Sequence, residues 1–536
     1  MKNIIIKAAL VAAAVFAAVS CREGEPREST YTNPILHSDY SDPDVIRVGK
    51  DFWMTASSFT CFPGLQILHS TDLVNWEIVN AAVPSLEPAS DFDSPSHGNG
   101  IWAPCIRYHK GTYWIFWGDP DHGIYQIHTK DPRGKWSKPH LILEGKGLID
   151  TSPLWDDDGK VWLVHGWAGS RAGFKSVLSV CELSEDCTEV ISDQFLVFDG
   201  KKSGNETVEG PKFYKKDGWY YIFAPSGGVK EGWQLVLRSK SILGPYEHRT
   251  VLHQGGTPIH GPHQGGWVTD TKGSEWFIHF EDRGPWGRVC HLQPLHWDDE
   301  GWCIIGEDID GDGIGEPIAE YRLPAGKKTD TALSATETSV AFDGNTIPLN
   351  WQWEANPKFN WFMLNPGEGC LRLNCIKSPD GWRNLRDTPN ILAEKIVGPE
   401  TSLILQMTYR PSYPTERAGM VITGRSYFTL EAECGEDGQI KLARKNCIDA
   451  DNGATEETVF EKPLGKAETL NVWLKVEINE DALCTLSYSL DGSNFEKAGE
   501  AFKAVEGKWI GAKIGIFAIS GIKKNDAGSA EFRACL

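Results

Sequence analysis

The chain has 536 residues, more than one ordinary core can organise, so two or three domains are expected. A formal charge of −20, with the acids scattered along the chain, argues against nucleic acid or an anionic membrane surface as partner and suits a neutral ligand. Thirteen cysteines without a CxxC or a regular zinc spacing argue against a zinc module; Cys181 with Cys187, or Cys370 with Cys375, could pair in an oxidising compartment, and the others read as buried thiols.

The first residues, MKNIIIKAALVAAAVFAAVSC, carry two lysines, an apolar run and small residues before Cys21, which is the pattern of a signal peptide over residues 1–20. Export to the periplasm is expected, with Cys21 either lipidated as an outer-membrane anchor or exposed by plain cleavage after Ser20. The polar stretch 21–30 reads as a tether.

From there a pattern recurs: a polar turn, then aromatics alternating with aliphatics. It appears as KDFWMTASS from Lys50, KGTYWIFWGD from Lys110, DGKVWLVHGW from Asp158, DGWYYIFAPSGG from Asp217 and GSEWFIHFED from Gly273. These starts lie roughly 50 to 60 residues apart, slightly above the usual length of a propeller blade. Each unit continues into a second alternating strand, and no long helical period interrupts them. The fold expected over residues 31–323 is a five-bladed β-propeller.

About ten residues before each aromatic strand stand Asp42, Ala103, Asp150, Glu209 and His263. Inner strands of a propeller begin near its axis, so residues at one phase of different blades should meet there. One Asp-Pro before a strand is ordinarily a turn former. Three carboxylates at a shared phase instead suggest sugar or calcium binding, or the acid and base that cleavage of a glycosidic bond requires.

The acidic stretch EDIDGDGIGE, Glu307 to Glu316, has the aspartate spacing of a calcium loop, but Ala319 stands where an EF-hand needs a bidentate Glu, so a tight hairpin closing the fifth blade is expected. PAGKKTDTALSATETS, residues 324–339, reads as a linker. All 15 histidines lie at or before His296, and the remaining strands over 340–536 alternate as in a jelly-roll-like β-sandwich. That domain could bind polysaccharide, or buttress the propeller and lend a loop to the pocket rim; lacking an exposed-looking aromatic triplet in any one strand, it is expected to buttress. The whole chain is therefore expected to be all-β.

NPILHSDYSDPDVIRVG, IDTSPLWDDDGKVWLV and VEGPKFYKKDGWYYIF, in this order, resemble the motifs of glycoside hydrolase family 43, many members of which carry a C-terminal sandwich. The resemblance implies Asp42 as general base, Asp150 as the residue that tunes and orients the acid, and Glu209 as general acid. It also implies an inverting enzyme, with Asp42 and Glu209 carboxyls about 6.5 to 9.5 Å apart. His263 in GPHQGG resembles the family's axial histidine, which implies either a ligand to a water-coordinated structural calcium or a plug of the channel; no other cofactor is implied. Arg283 in FEDRG is a candidate for sugar hydroxyls, and Trp102 and Phe62 are candidate stacking platforms.

The pattern is closest to non-reducing-end α-L-arabinofuranosidases acting on xyloglucan or arabinoxylan fragments, with β-D-xylosidase the near alternative. A non-catalytic glycan-binding lipoprotein is the reading from another class.

Overall fold

The computed structural model describes residues 29–328, 334–335 and 341–535. The segment read as signal peptide and tether, with Cys21, lies outside the described residues, as does part of the linker.

Five four-stranded antiparallel sheets follow one another, each built from four consecutive strands. Their inner strands are Asp44–Val48, Trp102–His109, Leu148–Trp155, Lys212–Lys216 and His263–Thr269, and each pairs with one of the aromatic strands that the sequence pattern marks. The hairpins of blades two and four turn on Lys110-Gly111 and Asp217-Gly218, with both residues of each pair at positive φ. This is the type I′ geometry that matches the twist of the strands and favours glycine at the second position.

Every gap between neighbouring blades has its own apolar seam. Trp53 and Ile106 meet between blades one and two, Phe116 and Leu163 between two and three, and Val164 and Phe213 between three and four. Phe223 and Phe277 fill the gap between four and five, and Val45 and Ile278 the gap between five and one. Because each blade is continuous in sequence, the ring is latched from outside. Strand Thr30–Thr32 pairs with Glu320–Arg322, and the Asn33 amide donates to the carbonyls of Leu292 and Ile318 at 2.9 and 2.8 Å while accepting the Leu292 N–H.

The C-terminal domain is a sandwich of two eight-stranded sheets around Leu405, Met407, Leu430, Leu474 and Ile516, all sealed from water. Its core runs on into the fifth blade through Trp286 and Val289. Phe62 and Trp353 exchange backbone hydrogen bonds at 2.9 and 2.6 Å, joining blade one to the sandwich. Beside them Lys513 meets Glu354 at 2.7 Å with both side chains buried. Burial pushes the Glu354 carboxyl up, but Lys513 and His97 pull it well below the usual range.

All eleven cysteines with described side chains are free and buried, so Cys181, Cys187, Cys370 and Cys375 are thiols and the two disulfides considered above do not form. The acidic stretch is the expected hairpin: Glu307 and Glu316 exchange backbone hydrogen bonds, and Asp308 accepts from the N–H groups of Gly311 and Gly313. Its Asp310 and Asp312 stand with His253 so that three ligand-type atoms lie within 4.8 Å of one another, the two aspartates on the surface.

Candidate active site

Each inner strand is entered through one residue in the left-handed region: Asp42 (φ 54°), Ala103 (38°), Asp150 (55°), Gly210 (57°) and Gln264 (35°). Such backbone costs roughly 1–2 kcal/mol per non-glycine residue, and strain of this kind gathers where side chains must be aimed. The repeat phase thus runs through Gly210 and Gln264, and the alignment through Glu209 and His263 is one residue early. The sequence held the cue, since Asp42, Ala103 and Gly210 each precede a proline. Glu209 and His263 belong to the preceding ring, with Ser41, Trp102 and Ile149.

The two rings meet in one pocket of about 120 Å³. Asp42, Asp150 and Gln264 line it from the left-handed ring, Trp102, Ile149 and Glu209 from the preceding one, and Phe59, Val229, Arg288 and Trp509 complete the wall. A far more voluminous groove, about 1030 Å³, lies among Lys50, Arg133, Asp270 and Arg322. Its two acids are already engaged, Glu77 by Arg133 and Asp270 by backbone N–H groups, so volume does not choose the site.

The three acids have different surroundings. Asp42 Oδ2 accepts the hydroxyls of Ser41 and Ser57 at 2.8 and 2.6 Å, and Oδ1 accepts from Arg288 at 3.2 Å, an arrangement made for a carboxylate. Asp150 Oδ2 accepts the Gly210 N–H at 2.9 Å. Burial, then the charges of Glu209 and Asp42, push the Asp150 carboxyl well above the usual carboxylate range, against the pull of that N–H and of Lys212. Glu209 keeps 28% of its side chain exposed to the pocket, and its Oε1 stands 2.8 Å from His263 Nε2. The three carboxylates therefore feel one another in one small space, with Arg288 as the cation on the wall.

The other expected site residues divide. Trp102 lines the pocket, its ring edge-on to Phe59 and Trp509. Phe62 does not: its ring is sealed in the seam against Phe92, because its backbone is spent on the sandwich, and Phe59 is the phenylalanine at the pocket. Arg283 is held at 2.7 Å by Glu281, away from the pocket wall, and Arg288 takes the place expected of it. His263 is fully buried behind Glu209, and the groups of three or more ligand-type atoms among the described residues lie elsewhere.

Trp509 was not legible beforehand. It comes from the sandwich, at φ 66° in a loop pinned to the propeller where the Ala512 N–H donates to Pro285 O at 2.8 Å. The second domain therefore both buttresses the propeller and supplies a wall of the site.

Residues 31–303 match the model of glycosyl hydrolases family 43, and residues 339–535 match a β-xylosidase C-terminal concanavalin A-like domain. The chain belongs to glycoside hydrolase family 43. A β-xylosidase of Formosa agariphila is 31% identical over 94% of this chain and 90% of its own length. The non-reducing end α-L-arabinofuranosidase BoGH43B of Bacteroides ovatus is 28% identical over 79% of each. The crystal structure of the GH43 protein BlXynB from Bacillus licheniformis superimposes with a TM-score of 0.78 at 26% identity, covering 94% of this chain and 99% of that one. Family membership makes the protein a glycosidase acting on carbohydrate.

Proposed function

We propose that the protein removes single β-D-xylosyl residues from the non-reducing ends of plant-derived hemicellulose fragments by one inverting displacement. The observation that carries this reading is the small pocket of about 120 Å³ holding Asp42, Asp150 and Glu209 together. Usual ligand clefts run to ~300–1,000 Å³, so this one suits a terminal sugar rather than the middle of a chain. Xylose is preferred over arabinofuranose as first reading because the relative with greater identity and coverage is a β-xylosidase; α-L-arabinofuranosidase, first by sequence pattern, is second, supported by BoGH43B.

In this mechanism Asp42, fixed by Arg288 and two serines, takes a proton from the water that attacks the anomeric carbon. Glu209 gives its proton to the departing oxygen, and His263 behind it holds the carboxyl in place. Asp150, whose carboxyl is pushed well above the usual range by burial and by the charges of Glu209 and Asp42, accepts the N–H of Gly210 and so orients Glu209, the acid that faces the sugar. The chain is proposed to act after export, tethered through Cys21 or freed by cleavage after Ser20. A structural calcium fits the reading without taking part in it.

The test is hydrolysis of 4-nitrophenyl β-D-xylopyranoside against the α-L-arabinofuranoside, with the anomer of the released sugar followed by NMR. Faster xyloside cleavage and an α-xylose first product are expected. Preference for the arabinofuranoside transfers the assignment to the second reading, and a retained anomer overturns the single displacement.

Asp150 also makes a prediction of opposite sign for stability and activity. Its carboxyl binds protons more tightly folded than unfolded, so stability falls as pH rises from its unfolded value of about 4 toward its raised folded value. Asp150→Asn should therefore melt higher than wild type near pH 7 while kcat/KM falls about 100-fold or more. Differential scanning calorimetry and steady-state kinetics check the two effects.

A further inference from the structure

The inner strands that begin at the acids end at a second mouth. Val45 to Arg47, Arg107 to His109, Pro153 to Trp155, Phe213 to Lys216 and Trp267 to Thr269, one stretch from each blade, line a cavity of about 690 Å³. At ~3.3 Å per residue, the five residues from Asp42 to Arg47 put the two mouths on the order of 16 Å apart. Between them the axis is filled. Asp44 pairs with Arg107 at 2.7 Å, the Arg107 guanidinium also reaches Ser152 Oγ at 3.1 Å, and Lys212 Nζ donates to the Pro104 carbonyl at 2.9 Å. The second mouth is thus a separate cavity and has no part in the displacement at Asp42 and Glu209.

Its chemistry is specific. Tyr108 is 45% exposed at the rim, which leaves its ring open to a ligand. Trp155 lies parallel to His109 with ring centres 4.8 Å apart, and Trp267 stands edge-on to Tyr214 at 5.1 Å. The Trp267 indole N–H is buried and has no acceptor among the described residues. Charged groups there are matched: Lys215 bonds Asp156 and Asp157, and Lys216 lies 3.7 Å from Asp217 and 3.6 Å from Glu275. Only Arg47, which donates to the carbonyls of Thr269 and Gly49, has no ion pair among the described residues.

Flat rings beside balanced, hydrogen-bonding charges fit a ligand that is uncharged, presents C–H faces and carries many hydroxyls. A strongly ionic ligand would find no net field, and a purely apolar one would strand the lysine, aspartate and arginine heads. The volume, several times that of the acid-lined pocket, accommodates more than one sugar.

We infer that the far mouth of the propeller is a second, non-hydrolytic sugar-binding pocket, which takes a short stretch of an uncharged pentose chain and keeps the enzyme on the polymer it trims. This rests on the proposed function for the identity of the sugar, but on different residues.

The test uses the full chain, with retention on insoluble arabinoxylan measured beside hydrolysis of the preferred 4-nitrophenyl glycoside. Tyr108→Ala and Trp155→Ala should each lose at least fivefold in retention, and soluble xylohexaose should release the wild type, while kcat/KM on the small glycoside stays within twofold. Trp155 packs against Trp114 and Phe116, so if its replacement fails to fold, Tyr108→Ala at the rim decides alone. Wild-type retention in Tyr108→Ala, or no retention of the wild type, overturns the inference. Failure of the proposed function shows separately, as a wild type that binds arabinoxylan yet cleaves neither nitrophenyl glycoside.

Discussion

Glu209→Ala is expected to lower kcat/KM on xylobiose by ~10²–10⁴-fold, the usual contribution of a positioned general acid, and to lower it far less on a 2,4-dinitrophenyl glycoside. The difference arises because dinitrophenolate leaves without a proton, whereas the sugar oxygen of xylobiose must receive one. Glu209 is placed for that donation: it is the acid that keeps an exposed face in the pocket, and His263 fixes its other side at 2.8 Å. Equal losses on the two substrates would remove Glu209 from the role of acid.

Asp42→Asn should cost ~10²–10⁴-fold on both substrates alike, since the attacking water is needed whatever leaves. KM should move little, because the amide keeps the shape of the carboxylate. The protein itself should suffer. Arg288 and Asp42 are both buried, with 8% and 7% of their side chains exposed, and stripping one charge from such a pair costs ~3–5 kcal/mol. A melting temperature lowered by several degrees is expected, opposite in sign to the rise for Asp150→Asn. An Asp42→Asn protein with near-wild-type turnover would exclude Asp42 as base.

The propeller, its five units and the acids at its mouth were legible in the sequence because each rests on a short-range signal. Alternation of apolar residues marks strands, Lys-Gly and Asp-Gly mark their hairpins, and the spacing of aromatic strands counts the blades. The one-residue slip at blades four and five came from counting back from the aromatic strand. The inner strand of blade five carries a bulge at His263/Gly265, which breaks such a count, and in blade four, which has no bulge, the left-handed Gly210 before Pro211 marks the phase directly.

What could not be read was contact between distant segments. Arg288 and Arg283 are five residues apart on the same stretch of blade five, and only the fold decides that one faces Asp42 and the other Glu281. Phe62 and Phe59 share one loop, but the backbone pairing of Phe62 with Trp353 turns its ring into the seam. Trp509 carries no motif at all; its place depends on how the two domains dock.

That docking has a bearing on the order in which the site comes into being. A chain emerging from the ribosome can complete all five blades, and gather every acid, well before Trp509 has been synthesised. The nascent propeller then owns its reactive groups but lacks part of the wall around them, so full competence waits on a segment translated about two hundred residues after the fifth blade.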